Sequence, residues 1–205
     1  MLELSAENLS MRFGSRSVFR DIAFDLKVGQ ALAVFGPNGS GKTTLLHLIA
    51  GLARPTGGEV GFREDGRKLD FDDFRRRMAL VAPYLALYES LTALENLKFL
   101  ATVTGRVAAD DELLQYLDIV GLADRGGDTV GVYSSGMKQR LRYAAALLKE
   151  PEVFLIDEPG VNLDEAGRTL VYRLIREKAS SAIVVVATNE REECSLAGEI
   201  CQLAG

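Results

Sequence analysis

Residues 36–43 read Gly-Pro-Asn-Gly-Ser-Gly-Lys-Thr. In such a stretch glycines let the backbone curl until successive N–H groups converge on an anion. The spacing G-x-x-x-x-G-K-[ST] suits a polyphosphate. Gly36, Pro37, Asn38, Gly39, Ser40 and Gly41 supply the loop, and Lys42 supplies a cation for the β- and γ-phosphates. The hydroxyl of Thr43 supplies an oxygen for Mg²⁺. Thr44 continues into a helix whose free N–H groups and dipole add to the anion site. A chance glycine-rich turn would lack the right flanks. Here an all-apolar run, ALAVF, precedes the loop, and TTLLHLIAG follows with helical spacing and a closing Gly51.

A polyphosphate–magnesium site also needs a carboxylate from a neighbouring strand. VFLIDEP provides one: an apolar strand, then Asp157 and Glu158. Asp157 at the strand end is placed to hold Mg²⁺, and Glu158 to polarise an attacking water. A second apolar strand, AIVVVAT, ends in Thr188 and Asn189. In an open parallel sheet, ligands bind at the carboxyl ends of strands, so Asn189 also falls in functional territory.

The elements around these residues follow from pattern. Ile22, Phe24, Leu26 and Val28 alternate, the mark of a half-buried antiparallel strand, and Gly14-Ser15 reads as the turn before it. Pro55 with Gly57-Gly58 reads as a turn, and EVGF and MALVA as further short strands. From about residue 84 to 150 the spacing is helical: LTALENLKFLATVTG, DDELLQYLDIVGLAD and GMKQRLRYAAALLKE, the last with Leu141, Ala144, Ala145 and Leu148 on one face. The strands EVFLID and AIVVVAT then return, separated by the helix EAGRTLVYRLIREKAS. The order predicts one domain over 1–205. It has an α/β core over 1–83 and 151–205 that carries an N-terminal β subdomain, and a helical subdomain inserted at about 84–150.

Composition narrows the function. The chain has 205 residues, 47% of them hydrophobic, enough to bury a substantial core. The net charge of −5 argues against a nucleic-acid partner. The run Arg75-Arg76-Arg77 lies beside Asp70, Asp72 and Asp73 and reads as a solvated helix face. With His47 the only histidine, a histidine-ligated zinc site is excluded. Cys194 and Cys201 read as small thiols rather than a disulfide. The amino-terminal MLELSAENLS has neither the basic start nor the apolar segment of a signal peptide. No apolar run approaches the ~20 residues that span a bilayer. A cytoplasmic protein, or one held to a membrane by a partner, is expected.

Many enzymes share the phosphate loop and the acidic strand end. An N-K-x-D-like guanine reader is missing, and Arg75–Arg77 are too mixed with acids to form a kinase lid. YSSGMKQR, residues 133–140, decides between the remaining classes. Its small residues lead into a helix N-terminus, another anion site. Here the sequence resembles the ATP-binding cassette family, whose signature is Leu-Ser-Gly-Gly-Gln. Ser134 and Gly136 match. Tyr133, Ser135 and Met137 depart.

The resemblance covers nearly the whole chain. It implies a phosphate-loop NTPase fold of the RecA-like kind: a parallel-sheet core, an antiparallel β subdomain and a helical insertion. It implies ATP and Mg²⁺ as ligands, with Thr43 and Asp157 on the metal. Two cassettes would pair head to tail, so that Ser134, Ser135, Gly136 and Met137 face the ATP of a second subunit, either a copy or a paralogue. Asp164, closing GVNLD, matches the family's dimer-seam loop. Phe13 falls where these proteins stack an aromatic ring on adenine, though a core Phe of a first strand fits as well. The partner would be a transmembrane permease, leaving the chain peripheral on the inner face of the cell membrane. LTALENLKF also resembles the ATP-binding subunit of the heme exporter used in cytochrome c maturation.

Two departures stand out. The family places a Gln after the strand that corresponds to MALVA, and here Pro83 or Tyr84 occupies that position. The family places a His after the strand that corresponds to AIVVVAT, and here the residue is Asn189. Asn donates an amide N–H but carries no charge and exchanges no proton near neutral pH. ATP binding with slow hydrolysis is expected. The alternatives are a degenerate cassette that serves mainly as an ATP-binding partner, and a non-transport cassette acting on ribosomes or DNA.

Overall fold

The computed structural model of the protein describes residues 1–204. The chain opens with β1 (Leu2–Phe13) and β2 (Arg16–Lys27), joined at Gly14-Ser15, and continues into β3 (Ala31–Phe35) and α1 (Lys42–Ile49). β4 (Gly57–Glu64), β5 (Arg67–Lys68), α2 (Phe71–Arg76) and β6 (Met78–Val81) follow. Three helices come next: α3 (Ala93–Val103), α4 (Asp110–Ile119) and α5 (Ser135–Leu147). The chain then forms β7 (Val153–Asp157), α6 (Glu165–Ala179), β8 (Ile183–Thr188) and β9 (Glu199–Gln202). The elements expected from the sequence occur in the expected order; the short β5 and β9 are additions that the sequence pattern does not announce.

The strands form two sheets. One is antiparallel, in the order β2-β1-β4-β5, and the other is parallel, in the order β6-β7-β8-β3-β9. Every residue of β7 and of β8 is buried, as a parallel sheet covered on both faces requires. Alternate residues of these strands serve two cores. Phe154, Ile156, Val184 and Val186 pack with Leu97, Leu117, Leu141 and Val171 of the helices. Val153, Leu155, Ile183 and Val185 pack with Leu45 and Leu46 of α1 and with Leu4 and Leu26 of the antiparallel sheet. The parallel sheet is therefore the middle layer. On one side it carries α1 and the antiparallel sheet, on the other the long helices.

Local chemistry sets the helix ends. Thr92 caps α3 by accepting from Glu95 N–H while the Glu95 carboxylate accepts from Thr92 N–H, a reciprocal capping box. Asp164 caps α6 by accepting from Gly167 N–H at 2.8 Å. Asp70 caps α2, whose Arg75 and Arg76 stay exposed beside Asp72 and Asp73, in line with the charge pattern. Arg77 departs from it, since it ends the helix half-buried and donates to both Glu64 oxygens at 2.7 and 3.2 Å. Cys194 and Cys201 are free thiols.

One expected turn takes another form. Gly57-Gly58 does not turn the chain but begins β4, opposite an irregularity of β1 between Glu7 and Ser10. A Cβ on Gly58 (φ +73°) would lie 2.3 Å from the carbonyl oxygens of Glu7 and Asn8. The glycine allows this close approach at a bulge, and composition alone does not distinguish that use from a turn. No helix among the described residues is long and apolar enough to cross a membrane.

Phe154 is fully buried and meets the Tyr143 ring edge-on, with centroids 6.3 Å apart. Phe154→Ala removes this contact from the middle layer. It is expected to cost about 3–5 kcal/mol of stability, read from urea unfolding midpoints.

Candidate nucleotide-binding site

The strand register assembles the site. Pairing of β3 with β8 sets Phe35 level with Thr188, and pairing of β7 with β8 sets Asp157 level with Ala187. Gly36, Glu158 and Asn189 therefore leave three adjacent strands at one edge of the sheet. Gly36 N–H donates to Thr188 O at 3.3 Å, and Glu158 N–H to Ala187 O at 2.9 Å.

The loop from Gly36 wraps over the start of α1. Gly41 precedes the helix at φ +101°, and a Cβ there would sit 2.4 Å from Val18 Cγ1. Only glycine fits both the conformation and the space. Lys42 is 5% exposed, and its Nζ donates to Gly36 O at 3.0 Å and Pro37 O at 3.1 Å, with Glu158 Oε1 at 3.8 Å. Ser40 is buried with its hydroxyl unpaired.

Thr43 Oγ1 donates to Asp157 Oδ2 at 2.6 Å, tying α1 to the end of β7. Asp157 is 2% exposed, and its other oxygen, Oδ1, is buried with no partner. An orphaned carboxylate oxygen beside a hydroxyl is the hard-oxygen donor set that suits Mg²⁺. Burial pushes the Asp157 carboxyl up from the usual carboxylate range, against the Thr43 hydrogen bond and the Lys42 charge. Burial also raises Glu158, which Lys42 partly offsets. Glu158 has a left-handed backbone, φ +53°, which costs a non-glycine residue about 1–2 kcal/mol.

A cleft of about 490 Å³ opens over this loop. It is lined by Asn38, Gly39, Gly41, Lys42, Thr43, Thr44 and Glu158, and at its outer end by Phe13. Phe13 is 59% exposed, so it is not a core residue of the first strand. Arg16 and Val18 also line the cleft, and no motif in the sequence marks them. The two-residue turn holds the clue, because it pairs Phe13 directly with Arg16.

Asn189 is exposed, and its Nδ2 donates to Asn38 Oδ1 at 3.0 Å, so it touches the phosphate loop itself. Tyr84, rather than Pro83, reaches toward the metal-side carboxylate. Its hydroxyl shares a 2.8 Å hydrogen bond with His47 Nε2 on α1. Burial and the nearby Asp157 charge push that hydroxyl up to about 12. Ser134 caps α5 by accepting from Met137 N–H at 3.2 Å. Ser134, Ser135, Gly136 and Met137 do not line the cleft of their own chain. Gly136 packs on the Asn162 carbonyl oxygen, 2.9 Å from where a Cβ would stand. Asp164 spends a carboxylate oxygen on its own helix cap.

A phosphate loop at the end of a parallel strand, with its helix hydroxyl bonded to an acidic strand end, defines a phosphate-loop nucleoside triphosphatase. The family model for the ABC transporter matches residues 19–161. The taurine import ATP-binding protein of Roseobacter denitrificans is 38% identical over 210 residues, covering 97% of this chain and 76% of that protein. The linearmycin resistance ATP-binding protein of Bacillus subtilis is 31% identical over 192 residues, covering 93% of this chain; the chain spans 62% of that protein's length. Among solved structures, an ATP-binding subunit of an ABC transporter superposes with a TM-score of 0.84 at 28% identity, covering 98% of this chain and 85% of that one. A dimeric ATP-binding cassette in a post-hydrolysis state with ADP and Pi superposes at 0.82 and 26%, covering 98% and 94%. The chain belongs to the ABC transporter family, as an ABC-type ATPase domain.

Because burial raises Asp157, its ionised form costs the folded apoprotein stability at neutral pH, and the cost is relieved as pH falls through the raised value. Asp157→Asn removes that charge. It is expected to raise the apoprotein melting temperature by about 2–4 °C, roughly 1 kcal/mol for a chain of this size. The same variant is expected to lose Mg²⁺-dependent ATP binding, measured by titration with and without the metal.

Proposed function

We propose that the chain is the ATP-binding and ATP-hydrolysing subunit that powers a separate membrane permease. The observation that carries this is the closed Lys42–Thr43–Asp157–Glu158 cluster at the mouth of the cleft. Lys42 and the loop amides grip the triphosphate, and Phe13 offers a face for adenine. Thr43 and Asp157 hold Mg²⁺, which when bound neutralises phosphate charge. Glu158 orients the attacking water and accepts its proton. Burial raises its carboxyl, which suits a base that must release that proton again.

The head of α5 has no nucleotide of its own to meet. It is assigned to the ATP of a facing subunit, as the dimeric cassette with ADP and Pi supports. Through the shared γ-phosphate, ATP favours the closed pair and hydrolysis releases it. Only that difference in affinity can drive a permease between two access states. A groove lined by Leu80, Leu85, Leu87, Leu100 and Arg142, beside exposed Tyr88 and Phe99, suits the permease contact. Relatives named for taurine import and for linearmycin resistance share this cassette, which fits cargo choice residing in the permease. The chain would then lie peripherally on the cytoplasmic face of the membrane.

The contact between Asn189 and Asn38 favours a second reading, a cassette specialised for binding that leaves hydrolysis to a paralogue. An amide contributes one neutral hydrogen bond where an imidazolium would add charge. The difference is about 2–3 kcal/mol in the transition state. In single-turnover hydrolysis, Asn189→His is expected to raise the rate about 30- to 200-fold, and Glu158→Gln to abolish it. An unchanged rate with His at 189 would remove this position from the chemistry. An unchanged rate in Glu158→Gln would remove Glu158.

A further inference from the structure

Glu193 is 2% exposed yet carries a carboxylate, and the proposed chemistry makes no use of it. It lies in a 3-10 segment, Arg191–Leu196, directly after the Asn189 turn. Three donors from three elements converge on its two oxygens. Gly160 N–H donates to Oε1 at 2.9 Å, and Tyr172 Oη of α6 donates to the same oxygen at 2.6 Å. Thr188 Oγ1, the last residue of β8, donates to Oε2. Burial and this carboxylate together push the Tyr172 hydroxyl far up, so it remains a donor throughout the working pH range.

Two of these arms, through Thr188 and through Gly160, lead to residues of the site. Thr188 Oγ1 also accepts from Glu190 N–H at 2.9 Å, so the hydroxyl spans Asn189 and closes its turn. Arg168 of α6 grips the Glu190 carboxylate through two nitrogens, at 3.1 and 3.3 Å. On the other side, Gly160 lies two residues after Glu158 and four before Asp164. The loop around it carries left-handed backbones at Glu158 (φ +53°) and Asn162 (φ +62°). A Cβ on Gly160 would sit 2.6 Å from Glu193 Oε1 and 2.5 Å from Tyr172 Oη, so the backbone is pressed onto the carboxylate. Residues held in such conformations persist only where their surroundings over-determine them.

We infer that Glu193 is a positioning residue for hydrolysis: its buried carboxylate sets the Asn189 turn and the loop between Glu158 and Asp164 in one fixed relation. Because the two arms share one carboxylate, a shift of the Asp164 loop is passed to Asn189 through Gly160, Glu193 and Thr188. The inference rests on the proposed hydrolytic function, and it concerns arrangement of the site rather than nucleotide affinity.

The test compares Glu193→Ala, Glu193→Gln and Asn189→Ala with their combinations. Glu193→Ala is expected to lower kcat about 10- to 100-fold and to leave KM for ATP within about threefold. Glu193→Gln keeps an acceptor for Gly160 and Tyr172 and is expected to recover kcat to within about fivefold of wild type. In the Asn189→Ala background, Glu193→Ala is expected to add less than about threefold, because both changes disable one unit. Parallel losses of kcat and ATP affinity, or losses that multiply in the double variant, would overturn the assignment. Wild-type turnover that Glu158→Gln abolishes checks the hydrolytic reading separately. Should wild type prove inert, amide hydrogen exchange of the apoprotein decides. Glu193→Ala must speed exchange in both 158–163 and 188–192 while Glu193→Gln does not, and acceleration in neither segment or in only one sinks the clamp.

Discussion

The Lys42 ammonium is almost wholly out of water, and among the described residues two backbone carbonyls and one more distant carboxylate meet it. A buried cation with so few partners is costly unless an anion completes its shell. The surrounding loop is bent to the same purpose, with Gly39 and Gly41 at positive φ and Ser40 left with an unpaired hydroxyl. Asp157 mirrors this, with one oxygen bonded to Thr43 and the other without a hydrogen-bond partner among the described residues. The site thus holds a sparsely partnered cation close enough to act on a carboxylate that has one oxygen unpaired. A magnesium-bound polyphosphate, as proposed, would satisfy both and so would link ligand binding to fold stability.

The family's histidine and glutamine are replaced by contacts of another kind. Asn189 is tied to the phosphate loop through Asn38, and Tyr84 to α1 through His47. Both replacements still join the loops at the strand ends to the phosphate-loop element. Neither carries a charge to the phosphate side. On the proposed reading, contact between these loops is kept while the electrostatic part of catalysis is reduced.

Motifs that are contiguous along the chain are legible in the sequence itself. The phosphate loop, the Asp-Glu strand end and the signature helix each declare themselves within eight residues, and the periods of two and 3.6 place them on strands and helices. Contacts between segments far apart leave no such trace. His47 with Tyr84, Asn38 with Asn189 and Gly160 with Glu193 are separated by 37, 151 and 33 residues. Glu193 in particular hides in NEREEC, a cluster of charges that reads as solvated surface; only the fold turns one of those acids inward. Phe13 and Gly57-Gly58 are ambiguous for a local reason. An aromatic at a strand end and a glycine pair each serve two structures equally well.

The position of β3 has a consequence for how the protein is made. Its two sheet neighbours are β8 and β9, both far downstream of it in the chain. Phe35 O accepts from Leu203 N–H at 2.8 Å, and Gly36 lies against the Leu203 carbonyl. The first strand of the core therefore lacks its hydrogen-bonding neighbours while residues 36–182 are still being synthesised. On a ribosome the antiparallel sheet can form early from local pairings, but the phosphate loop must wait until the segment through Leu203 has emerged. The strand that ends at the phosphate loop is thus paired last, although it is among the first parts of the core to be made.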